Sequence, residues 1–263
     1  MGTRCSLFAV GPSDERLVEG ERWVRALACR LTRFAPDSEL SHLNAAGGEW
    51  VDVSSDVEAV LRSALQAYEM SLGLVNAGVL RSVLATGYTR PLADGPTAAN
   101  LQATRPASPL CDVLEVRRGR ARVKEGAGID LGGIAKGWMA DRLGEVVGPN
   151  AVVNLGGDLR ASGRGPRGDG WPIAVGGVTL LLRDQGAATS SVTRRSWAGG
   201  HHLIDPRSGL PAHTGLEEVS VVAASGFDAE VVAKTALLLG PALAPAYLAA
   251  HAMAWHMEGR HDA

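Results

Sequence analysis

The sequence predicts an α+β fold, and three observations carry that reading. Its 263 residues include 33 glycines and only 5% aromatics, which suits many tight turns rather than a helix bundle or an aromatic stacking platform. Strand-like apolar stretches are interspersed with stretches of helical period. No internal repeat, low-complexity tract or linker interrupts them, so residues 1–263 read as one compact unit, with a two-lobed domain as the alternative.

The elements follow in order. "TRCSLFAV" (3–10) reads as a strand. Residues 16–34 form an amphipathic helix whose buried face is Leu17, Val24, Leu27, Ala28 and Leu31. A loop containing "APDSELSHLN" leads to a second helix, with Ser54 or Ser55 as N-cap and Val57, Val60, Leu61 and Leu65 on one face. "ATGYTRPLADGPTAAN" (85–100) is rich in turn residues and reads as a surface excursion. Strands are expected near 111–117 and 120–124. The stretch "IDLGGIAKGWMAD" (129–141) opens a helix to about Val147, and "AVVNL" is a strand running into "GGD". Short strands span 171–182, "EVSVVAA" (218–224) is a strong strand, and helices cover 228–239 and 242–251.

Composition excludes several classes. A formal net charge of −2 gives no reason to expect a nucleic-acid partner. Cys5, Cys29 and Cys111 are odd in number and widely spaced. They read as reduced, mostly buried thiols rather than a disulfide framework or metal site. The N-terminus has no signal-peptide pattern and no apolar run is long enough to span a bilayer, so a soluble cytoplasmic protein is the expectation.

Four stretches could carry chemistry, each with a plainer reading beside it. The glycines of "IDLGGIAKG", with Lys136, have the makings of an anion site at a helix N-terminus. A glycine turn ahead of a packed helix looks the same, and the stretch matches neither the Walker A nor the dinucleotide pattern. "NLGGD" (154–158) joins a strand end to Asp158 through two glycines and is either a ligand approach or a tight turn. In "HHLIDPRSG" (201–209) a histidine near a carboxylate could act as an oriented base, or Asp205-Pro206 could simply start a turn. Glu230 and Lys234 stand at i, i+4, the spacing of a solvated ion pair.

Together and in this order, these stretches resemble the ApbE family, the FAD:protein FMN transferases. The resemblance runs through "MGT" (1–3), "RFAPDSELSHLN" (33–44), "SLGLVNAGV" (71–79), "IDLGGIAKG" (129–137), "NLGGD" (154–158), "ATS" (188–190), "HHLIDPRSG" (201–209) and "AEVVAKTALLLG" (229–240). It implies an ApbE-like domain with mixed or antiparallel sheets and packed helices. It implies Mg²⁺-dependent cleavage of the FAD pyrophosphate, with FMN passed to a Ser or Thr hydroxyl of an acceptor protein and AMP released. The catalytic residues implied are His202 as base, Asp205 as its orienting or stabilising partner, and Lys136 on the pyrophosphate. Met1, Thr3, Asn44, Gly73, Asn76, Asp130, Gly132, Gly133, Asp158, Thr189 and Ser190 match positions expected near the flavin nucleotide. Ala135, through its carbonyl, and Glu230 are the implied metal ligands.

The sequence departs from the family pattern in three places. Val75 and Asn76 replace the usual Phe and Asp, so a negative charge is lost. The late helix, A-D-x-x-x-T in the family, has Glu230 and Lys234 at its ligand positions. A protonated lysine cannot ligate a cation. This raises the expectation that the Lys234 ammonium takes over part of the metal's role. Two other readings stay open: a pyrophosphatase passing FMN to water, and an FAD binder without transfer chemistry.

Overall fold

The computed structural model describes residues 2–11, 14–198 and 200–259. Met1, expected near the nucleotide, lies outside them. The chain runs β1 (Cys5–Ala9), α1 (Asp14–Leu31), α2 (Glu39–Ala45), β2 (Val51–Asp52), α3 (Ser55–Met70), α4 (Leu80–Ala85), β3 (Leu114–Arg117) and β4 (Arg120–Val123). It continues through α5 (Ala135–Val147), β5 (Ala151–Leu155), β6 (Asp158–Ser162), β7 (Trp171–Val175), β8 (Val178–Leu182) and β9 (Gln185–Ser191). Four two-residue strands follow: β10 (Ser196–Trp197), β11 (Gly200–His201), β12 (Ile204–Asp205) and β13 (Leu210–Pro211). The chain closes with β14 (Leu216–Ala223), α6 (Gly226–Leu239), α7 (Ala244–His251) and β15 (Ala254–Gly259). The fold is α+β with antiparallel sheets, as expected. Among the described residues no helix is long and apolar enough to cross a membrane.

The chain divides into two compact units. One comprises Met1–Gly2, Ala26–Ile134 and Val192–Ala212; the other comprises Thr3–Arg25, Ala135–Ser191 and His213–Ala263.

The first unit is built on α2, α3, α4 and the sheet β2-β4-β3. Helix α3 buries Val57, Val60 and Leu61 as its period predicts, with Ala64 and Ala67 beside them, whereas Leu65 is only partly buried. Ser54 occupies its N-cap position, but the hydroxyl accepts from Arg30 rather than from the helix. The stretch read as a plain loop before it contains α2, whose N-cap Ser38 accepts the Ser41 N–H.

The second unit is a six-stranded antiparallel sheet in the order β1-β5-β6-β9-β14-β15. Val152, Leu159, Ala161, Ala187 and Val222 pack with Trp171, Val175 and Leu182 of the β7–β8 hairpin. Strand alternation turns Val153 and Leu155 to the other face, where α5 and α6 pack. These two helices approach through glycine: a Cβ on Gly137 would collide with the Gly226 carbonyl. The Asp141 carboxylate caps α6, accepting from Gly226 N–H at 2.8 Å and Phe227 N–H at 2.9 Å. Burial pushes this carboxyl above its ordinary range despite those two bonds.

The cysteines correct the expectation of burial. All three are free thiols, and all three are exposed. Cys5 lies on an edge strand, Cys29 on a solvent-facing position of α1, and Cys111 in a short 3₁₀ turn, so none reaches a core.

Candidate active site

In the second unit, four charged side chains converge where α5 begins. Lys136 pairs with Asp158 at the head of β6, and its Nζ lies 3.1 Å from Glu230 Oε1. Lys234, one turn along α6, brings its Nζ to 3.7 Å from the same oxygen. Glu230 Oε2 accepts the backbone N–H of Gly137 at 2.8 Å. Burial alone would push the Glu230 carboxyl up. The ammonium groups of Lys136 and Lys234, with the Gly137 N–H, outweigh it and hold the carboxyl below its ordinary range. The start of α5 therefore does hold an anion, and the anion is the protein's own side chain.

Local chain geometry delivers Asp158 to this cluster. Gly156 and Gly157 both take positive φ, 74° and 103°, and join β5 to β6 in a two-residue turn. Asn154 Oδ1 accepts the Gly157 N–H at 2.8 Å. Thr3 seats against the turn, where a Cβ on Gly156 would collide with it. Thr189 and Ser220 face each other across β9 and β14 with hydroxyls 2.9 Å apart, and Ser190 is buried beside them in β9.

In the first unit, the front half of the same motif is clamped. Asn44 meets Ile129 twice, donating Nδ2–H to its carbonyl at 2.9 Å and accepting its N–H at 2.8 Å. Asp130 accepts the Gly132 N–H on Oδ1 at 2.8 Å and the Arg33 guanidinium on Oδ2 at 2.7 Å. The Arg33 guanidinium carbon stands 4.2 Å from the Phe34 ring centre and 4.5 Å from that of Tyr88. The Tyr88 ring in turn lies 5.2 Å from that of Trp197. Tyr88 thus anchors the start of the stretch read as a surface excursion.

The two histidines separate by role. Leu203 N–H donates to His201 Nδ1 at 3.3 Å, and His201 Nε2 lies 2.9 Å from the Ala212 carbonyl. Both ring nitrogens thus face backbone groups, and the side chain is buried. His202 is half-buried, and its backbone N–H reaches the Arg195 carbonyl. Asp205 accepts the Arg207 backbone N–H at 2.9 Å and the Arg207 guanidinium at 2.7 Å. Burial raises the Asp205 carboxyl, but the Arg207 bonds and charge win and hold it below its ordinary range.

The ApbE family model matches residues 1–256. The chain belongs to the ApbE family. It is 31% identical to the FAD:protein FMN transferase of Treponema pallidum, the match covering 80% of this chain and 67% of that protein. It is 29% identical to the Klebsiella pneumoniae protein of the same name, covering 80% and 70%. Among solved structures, the flavin transferase ApbE from Vibrio cholerae matches 100% of this chain and 92% of its own, with a TM-score of 0.82 and 24% identity. The apo flavinyl transferase ApbE of Pseudomonas stutzeri gives 0.81 at 25% identity, covering 99% and 90%.

Set against the ApbE motifs, the expected site residues differ in what they touch. Lys136, Asp158 and Glu230 share one cluster. Asn44 and Asp130 make the bonds given above, and the Asn76 carboxamide accepts the Gly78 N–H and donates to the Ser108 carbonyl. Gly73, at φ 88°, sits in the turn that ends α3. Gly132 gives its N–H to Asp130. Sequence reasoning passed over Arg33 and Asp141. Arg33 lies inside a quoted ApbE motif beside Phe34, which was a usable signal; Asp141 had none, because the N–H groups it caps are 85 and 86 residues away.

The Mg²⁺ that the ApbE resemblance implies would draw on Glu230 and the Ala135 carbonyl. The residues present do not fit it. The Glu230 carboxylate is already met by two ammonium groups and a backbone N–H, and a dication there would stand against both lysines.

Proposed function

We propose that this protein is an FAD:protein FMN transferase. The observation that carries this reading is the match to ApbE over residues 1–256, with His202 and Lys136 retained at the motif positions. FAD is the substrate, and a Ser or Thr hydroxyl of an acceptor protein receives the FMN group. His202 takes the hydroxyl proton as that oxygen attacks the FMN-side phosphorus; the pyrophosphate P–O bond breaks and AMP leaves. Such chemistry rests on positioning and charge neutralisation rather than on covalent participation by the enzyme. The Gly132 N–H is committed to Asp130, so the positive charge on the pyrophosphate falls to Lys136. Thr3, Thr189 and Ser190 supply polar contacts to the nucleotide.

One observation favours a second reading. The Asp205 carboxylate is engaged by Arg207, which leaves less of it for orienting His202 and suits an FAD binder without transfer. Incubation of the protein with FAD and a candidate acceptor, followed by intact-mass measurement, separates the readings. An acceptor heavier by one FMN supports transfer. Free FMN with AMP indicates hydrolysis, and unchanged bound FAD indicates the binder.

A further inference from the structure

The cluster at the start of α5 contains two carboxylates and two ammonium groups, so its formal charges cancel. Its members are not equally shielded. The side chains of Glu230 and Asp158 are 2% and 3% exposed, whereas those of Lys136 and Lys234 are 15% and 13% exposed. The carboxylates therefore lie deepest, and the lysines are the more exposed members of the cluster. Each lysine is oriented by the same Glu230 oxygen, one from α5 and one from α6. Two ammonium groups converging on one buried carboxylate place cations nearer to an approaching anion than the carboxylates beneath them, although the cluster is formally neutral. The same arrangement repels a dication, which would have to displace a lysine from Glu230 to ligate it.

We propose that Lys136 and Lys234 together supply the positive charge set against the FAD pyrophosphate, and that this protein binds FAD without a divalent metal. The inference rests on the transferase reading above for the identity of the anion. Glu230 is then the residue that positions both lysines and not a metal ligand.

The test is equilibrium binding of FAD by flavin fluorescence, in EDTA and in excess Mg²⁺, with Mn²⁺ binding followed separately by electron paramagnetic resonance. The expected result is a dissociation constant that changes by less than about threefold between the two conditions, and no stoichiometric bound Mn²⁺. Lys234→Thr is expected to weaken FAD binding in EDTA by about tenfold or more. FAD binding that appears only with Mg²⁺, or one tightly bound Mn²⁺ per chain in the wild-type protein, overturns the inference and leaves the transferase reading standing. No FAD binding under either condition overturns both. The Mn²⁺ measurement needs no variant, so a poorly folded Lys234→Thr protein does not remove the test.

Discussion

Lys234 Nζ lies 3.7 Å from Glu230 Oε1, one turn apart on α6, and Lys136 Nζ reaches the same oxygen from α5. On an exposed helix such an i, i+4 pair contributes only a few tenths of a kcal/mol. Here Glu230 is buried, which turns a minor surface pair into a constraint on the site.

Removing that carboxylate should be costly. Glu230→Gln keeps an acceptor for the Gly137 N–H but leaves two ammonium groups above one remaining carboxylate. The expected loss is about 3 kcal/mol, as for other buried pairs broken on one side. Urea unfolding of the wild type and variant measures it. A loss under about 1 kcal/mol would mean that water already screens the cluster.

His202→Ala should separate chemistry from binding. Removal of a general base is expected to lower transfer to an acceptor by a factor of roughly 10²–10⁴. The FAD dissociation constant should stay within about threefold of the wild type. Undiminished acceptor labelling would remove the assignment of this base.

Asn44→Ala unties the segment that precedes the glycine pair. It strands the N–H and carbonyl of Ile129, whose side chain is fully buried. The expected cost is about 2–3 kcal/mol. Denaturant unfolding reads the cost, and faster amide exchange at residues 129–132 would show where it falls.

The Asp205–Arg207 pair makes a pH prediction. The folded carboxyl titrates below its ordinary value, so the pair stabilises the protein above about pH 4, the unfolded range, and that contribution is lost as pH falls through the folded value. Arg207→Ala removes the guanidinium, keeping only the backbone N–H of residue 207 against burial, and should move the titration upward. Carboxyl carbon NMR of Asp205 follows it; an unmoved midpoint would assign the depression to some other group.

Much of this fold was legible wherever periodicity was strong. The apolar stripe of α3, the run of β14 and the helix after "IDLGG" all declare themselves in the sequence. Strand β9, "QGAATSS", does not, because small residues fit under α6 without any apolar alternation to mark them. Helix α2 is seven residues long, too short for a periodic signal, and its trace in the sequence is the N-cap at Ser38. In the site, the motif spacings singled out Lys136, Asp158 and Glu230. What they could not convey was that the partner of one motif is another, with Glu230 lying on the N–H of Gly137. Arg207 was missed for the opposite reason: its partner is two residues away, inside a turn that reads as punctuation.

The contact between Gly137 and Gly226 has a consequence for how this protein can change over time. The carboxylate of Glu230 meets the backbone of α5 because neither helix carries a side chain at their crossing. The electrostatics of the site are thus governed by an atom that is missing, 93 residues from the carboxylate in one case and four in the other. Mutational drift at the charged positions can exchange one cation for another while the crossing persists. Adding a single methyl at 137 would part the helices and dissolve the arrangement whatever charges surrounded it.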